Sequence, residues 1–80
     1  MTEDEIRAAV REVALEILEL EPEELADEAD LEDLGGDSIM RLELVSALQQ
    51  RLGVRYTVDD EVRINSVKSA VEITQNVLAS

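Results

Sequence analysis

Leu34-Gly35-Gly36-Asp37-Ser38-Ile39-Met40-Arg41-Leu42-Glu43-Leu44-Val45 is the stretch whose reading decides the fold. Two adjacent glycines, an acid and a serine stand directly before an apolar-periodic run from Ile39 to Leu52. That order marks a loop feeding the start of a helix, with Asp37 or Ser38 as the capping residue. A serine there keeps its hydroxyl at the surface, and the amide N–H groups of the first turn point outward. Any anion attached to that oxygen sits at the positive end of the helix dipole.

Working outward, the spacing predicts a helix over 38–52. Leu44, Leu48 and Leu52 form an i, i+4, i+8 row that Val45 widens, which is a core face. Ile39, Met40 and Leu42 lie outside that row, so this helix has more apolar surface than one packing face needs. Either a partner covers them beside the serine, or they pack on the preceding loop. Gly53 ends the helix as a C′ residue.

Upstream, Thr2 followed by Glu5 is a capping-box spacing, and Ile6, Val10, Val13, Ala14 and Ile17 recur at helical intervals. A first helix is predicted over 3–20, with Glu5, Arg11, Glu12, Glu16 and Glu19 on a solvated face. Pro22 stops that helix or opens a short turn. Residues 21–37 form a long connection with nine acids and no base, in which Leu25, Leu31 and Leu34 read as anchors to the core. Such a loop is either functional or an acidic crossover between two long helices. Downstream, Val54 to Val58, with Tyr56, has no partner strand and reads as loop. Asp59-Asp60-Glu61 reads as the N-terminal cap of a short helix through Val62 and Ile64. Ser66 then caps a last helix with Val67, Ala70, Val71, Thr74, Val77 and Leu78 on one face. The prediction is an all-α, four-helix bundle with three longer helices, one short helix and a long acidic loop between helices one and two. Residues 1–80 are expected to form a single domain.

Composition narrows the function. Eighty residues bury roughly 60–65% of the unfolded surface, which leaves a thin core. A hydrophobic content of 45% argues against disorder despite the charge. No apolar run is long enough to span a membrane, the start of the chain is acidic where a signal peptide is basic, and a cytoplasmic monomer is expected. Without cysteine there is no disulfide, thiolate metal site or cysteine nucleophile. The net charge of −13 lies wholly upstream of Ser38, because residues 38–80 hold five acids and five bases. Nucleic acid is disfavoured as a partner, whereas a protein with a basic patch would be attracted. The plainer reading is that the acids keep a small protein soluble.

Several chemistries fail. An EF-hand loop starting at Asp30 places Leu34 at a ligand position and Arg41 at the twelfth, and one starting at Asp27 places Ala29 and Leu31 at ligand positions. Diffuse binding of divalent ions stays open. Ser38 has no histidine to activate it, and Gly36-Asp37-Ser38-Ile39-Met40 lacks the second glycine of a nucleophile elbow. The chain is therefore not expected to be an enzyme. What is left for Ser38 is either a hydroxyl that another protein modifies or a plain helix cap.

Leu34 to Ile39, followed by Leu42-Glu43-Leu44-Val45, resembles the acyl and peptidyl carrier protein family, and the likeness extends over residues 3–78. It includes the Pro22 break, the Asp59-Asp60-Glu61 helix and a valine-led last helix. The resemblance implies that Ser38, with Asp37 beside it, accepts a covalent 4′-phosphopantetheine arm from coenzyme A. A separate magnesium-dependent phosphopantetheinyl transferase performs that step. It further implies that the arm's thiol holds acyl or aminoacyl groups as thioesters and shuttles them among ligase, ketosynthase, condensation or acyltransferase enzymes. Within the family, Gly35-Gly36-Asp37-Ser38-Ile39 resembles peptidyl carriers of nonribosomal synthesis, while the short acidic chain starting at Met1 resembles freestanding acyl carriers. Helix two carries Arg41 and Arg51 against Glu43, so partner recognition is expected at Asp30, Glu32 and Asp33 in the acidic loop and at Ile39, Met40, Arg41 and Leu42. Polyketide, nonribosomal peptide or hybrid biosynthesis is expected ahead of fatty-acid synthesis. The competing expectation is an acidic helical docking module without covalent cargo.

Overall fold

The computed structural model describes residues 1–79, and among them the regular structure is entirely helical. Helix α1 spans Glu3–Leu18, α2 Ser38–Leu52, α3 Val58–Arg63 and α4 Val67–Ala79. A 3₁₀ turn over Pro22–Glu24 interrupts the long connection between α1 and α2.

The local chemistry of each helix end explains its position. Thr2 and Glu5 close the expected capping box on α1, with the Thr2 N–H donating to Glu5 Oε1 at 2.9 Å and the Glu5 N–H to Thr2 Oγ1 at 3.2 Å. That helix ends two residues earlier than its sequence pattern indicates. Glu19 takes the left-handed conformation (φ 55°) and the N–H groups of Glu19 and Leu20 both turn back to the Leu15 carbonyl. Gly53 closes α2 in the left-handed region at φ 66°. The cap of α3 is a correction: Thr57 holds the Asp60 N–H and Asp60 answers with the Thr57 N–H, so Asp59, Asp60 and Glu61 form the first turn. Ser66 caps α4 as expected, with its Oγ accepting the Ser69 N–H and Ser69 Oγ accepting the Ser66 N–H, both at 3.0 Å.

One hydrophobic cluster joins the helices. Ile6, Val10 and Ala14 of α1 meet Leu44, Val45 and Leu48 of α2 and Val67, Ala70 and Val71 of α4, with Leu25, Leu31, Val54, Tyr56 and Ile64 sealing the ends. The loop over 54–57 carries Tyr56 inward, where its hydroxyl meets Thr74 Oγ1 at 2.6 Å. Thr74 in turn donates to the Ala70 carbonyl at 2.7 Å, so the buried polar pair is satisfied.

A second correction concerns the face of α1 read as merely solvated. Arg11 donates to the carbonyls of Leu25 (2.7 Å) and Pro22 (3.0 Å) and pairs with Asp27 Oδ1 at 2.6 Å. Arg7 Nε lies 3.1 Å from Asp27 Oδ2, and Glu12 pairs with Arg51 of α2 at 2.8 Å. Both bases of the acidic half are thus spent on fastening the loop. Its backbone completes the attachment: the Lys68 N–H donates to the Asp27 carbonyl and the Leu31 N–H to the Asn65 carbonyl.

Candidate functional site

The start of α2 is built by the loop before it. Gly35 adopts φ 101°, a conformation that side chains oppose. Gly36 donates its N–H to the Leu31 carbonyl at 2.8 Å, and a Cβ on Gly36 would come within 2.8 Å of that same oxygen. Leu31 therefore links the approach to Ser38 with the turn between α3 and α4. Of the two candidate caps, Asp37 is the one used: its Oδ1 accepts the Met40 N–H at 2.9 Å.

Ser38 is the first helical residue of α2 and is exposed. Its hydroxyl and the amide N–H groups of Ser38 and Ile39 have no partner among the described residues. The other serines differ. Ser66 and Ser69 are bonded to each other, and Ser46 sits mid-helix and lines neither of the hollows described next. Only Ser38 among the described serines is exposed, unbonded and beside a hollow.

Two hollows flank that start. One, about 340 Å³ with its mouth included, lies between α1, the loop and α2, lined by Ile17, Leu18, Leu31, Met40 and Leu44 with Glu32, Asp37 and Arg41 on its rim. The other, about 500 Å³ and more open, lies between α2 and α3 and is lined by Ser38, Arg41, Leu42, Val45, Glu61 and Val62. Arg41 borders both.

The remaining residues singled out in the sequence divide. Ile39 and Leu42 keep 66% and 60% of their surface exposed, but Met40 is half-buried and turned into the α1–α2 hollow. Asp30, Glu32 and Asp33 are exposed and outside every ion pair among the described residues, with Asp30 Oδ1 accepting the Glu32 N–H at 2.9 Å. The sequence reading missed Glu61 and Val62 as neighbours of Ser38. Val58 and Val62, 76% and 65% exposed, are an i, i+4 apolar pair on an otherwise charged short helix, and that spacing was the available signal. Among the described residues no cluster of histidine, cysteine or carboxylate side chains is placed to hold a metal ion.

Residues 8–73 match the family described as phosphopantetheine attachment site. The chain is 38% identical to an acyl carrier protein of Saccharopolyspora erythraea over 99% of this chain and 84% of the relative. It is 33% identical to an acyl carrier protein of Nitratidesulfovibrio vulgaris over 89% of this chain and 95% of that relative. The chain belongs to the phosphopantetheine-bearing carrier protein family. It is accordingly a carrier and not an enzyme, and its cofactor is a covalently held 4′-phosphopantetheine. The surroundings of Ser38 fit that group: a free hydroxyl, two unpaired N–H donors, a cation one turn along and a hollow that Ser38 itself lines.

Proposed function

We propose that Ser38 bears the 4′-phosphopantetheine arm and that the protein carries acyl or aminoacyl groups in polyketide, nonribosomal peptide or hybrid biosynthesis. The observation that carries the attachment reading is the exposed, unbonded Ser38 hydroxyl at the first residue of α2. When bound, the group supplies the thiol that a cysteine-free chain lacks, and with it the means to hold cargo as a thioester. Ser38 Oγ gains the bond to phosphorus as the pyrophosphate bond of coenzyme A breaks and 3′,5′-adenosine bisphosphate leaves. The hydroxyl proton goes to the transferase, because Ser38 Oγ is hydrogen-bonded to no base among the described residues. Asp37 fixes the first turn through the Met40 N–H and so holds Ser38 at the tip of the helix.

The partner surface supported by these features consists of Ile39 and Leu42 on α2, Val58 and Val62 on α3, and the unpaired carboxylates of Asp30, Glu32 and Asp33. Met40 faces inward and contributes to the hollow instead. The preference for specialised biosynthesis is supported by the Gly35-Gly36-Asp37-Ser38-Ile39 stretch and by Met40 and Arg41, which make the start of α2 uncharged or basic.

Incubation with coenzyme A, magnesium and a broad-specificity phosphopantetheinyl transferase tests the attachment. Intact-protein mass spectrometry is expected to show one added phosphopantetheine on the wild type and none on Ser38→Ala. An unchanged wild-type mass in a folded sample, or an addition that survives Ser38→Ala, contradicts it. Loading the modified protein with an aminoacyl-adenylating ligase and, separately, with a malonyl-type acyltransferase then separates the pathway classes.

A further inference from the structure

We propose that Arg41 is the cation that neutralises the phosphodiester of the arm at Ser38, an inference that rests on Ser38 being the attachment residue. Three observations meet at this side chain. Arg41 follows Ser38 by three residues in α2, and positions i and i+3 of a helix are surface neighbours. It is half-buried and borders both hollows, whereas Arg55, Arg63 and Lys68 border neither. It also has no ion pair among the described residues, although Glu32, Asp37 and Glu61 line the same hollows.

The charge distribution sharpens the point. Seven bases stand against twenty acids, and Arg7, Arg11 and Arg51 are held in ion pairs. The other four bases, Arg41, Arg55, Arg63 and Lys68, have no ion pair among the described residues, and of these four only Arg41 lines the hollow that Ser38 lines, which places it for the anion that Ser38 acquires. Guanidinium suits that role, because its N–H groups form a planar fork that matches two phosphate oxygens, and it is weakly hydrated. The phosphodiester adds one negative charge to a chain already at −13. Without Arg41 that charge would face only the helix start and the carboxylates of Asp37, Glu32 and Glu61.

The test compares modified and unmodified forms of the wild type, Arg41→Gln, Arg41→Lys and Lys68→Gln, the last removing an equal charge that borders neither hollow. Modification is expected to lower the melting temperature of Arg41→Gln by roughly 2–5 °C more than that of the wild type or Lys68→Gln. The extra loss should shrink at about 0.5 M salt, and Arg41→Lys should restore part of it. The phosphorus NMR resonance of the arm should shift in Arg41→Gln and stay in place in Lys68→Gln. Equal melting differences in all four proteins with an unmoved phosphorus resonance would overturn the role of Arg41 while leaving Ser38 as the attachment point. A wild type that gains no mass with coenzyme A and the transferase overturns the attachment itself.

Discussion

At the scale of single residues, the site depends on backbone geometry as much as on reactive groups. Gly35 supplies φ 101° two residues before the cap. Gly35→Ala is expected to cost about 1–2 kcal/mol, read as a fall of roughly 4–16 °C in melting temperature, although open space surrounds the position. An unchanged melting temperature would show that the loop relaxes freely. Tyr56 gives a second case. Burial holds its hydroxyl above the usual phenol range, against the smaller opposing effect of its bond to Thr74. A native group that holds its proton more tightly than the unfolded chain stabilises below the unfolded value and loses that contribution as pH rises past it. Stability should therefore drop above about pH 10. Tyr56→Phe should lose about 1 kcal/mol near neutrality and lack part of the alkaline drop in chemical denaturation. Ser38 stood out in the sequence through the family resemblance of Leu34 to Ile39, since residue chemistry alone left it as either a modified hydroxyl or a plain cap. The choice of Asp37 as the cap was not legible, since both residues are good caps and only the 2.9 Å bond to Met40 decides between them.

At the scale of elements, the loop between α1 and α2 behaves as a fastened part of the structure. Arg11 is its main fastening, satisfying two carbonyls and one carboxylate. Arg11→Gln leaves the Leu25 carbonyl without its partner, a cost of roughly 1–3 kcal/mol, whereas the Pro22 carbonyl keeps the Leu25 N–H at 3.2 Å. Hydrogen exchange over residues 21–37 should accelerate more than over α4. Uniform acceleration across the protein would instead mean that Arg11 supports the whole fold. Helical periodicity made α1, α2 and α4 legible, because one apolar face against a shared core is what a sequence encodes most directly. Arg11 was not legible, since none of its helical neighbours Arg7, Ala8, Ala14 and Leu15 is an acid and its partners lie 11 to 16 residues away. Val62 was read on the short helix but not beside Ser38, because its i, i+4 pairing with Val58 marks an apolar face without telling which element that face meets.

At the scale of the molecule, charge and stability oppose each other. Fifteen acids upstream of Ser38, with both bases there already paired, repel one another in the compact state. Raising sodium chloride from about 20 to 200 mM, or adding a few millimolar magnesium, should raise the melting temperature by several degrees. A flat titration would mean that the carboxylates are too dispersed to matter. Acid should weaken the fold through two carboxyls: Glu5, held low by the backbone and hydroxyl of Thr2, and Glu12, held low by Arg51. A carboxyl whose native value is lowered stabilises above its unfolded value and loses that contribution as pH falls through the native one. The contribution of these two carboxyls to the melting temperature should therefore fade below about pH 4, with a shallower decline in Glu12→Gln.

The central claim is that this scaffold presents one modifiable hydroxyl. Fragment-ion mass spectrometry of the transferase-treated protein addresses it most directly, because it assigns the added mass to a residue. The account predicts that the whole addition falls on Ser38 and none on Ser46, Ser66 or Ser69. Added mass on any of those three, or its absence from every fragment containing Ser38, would contradict it.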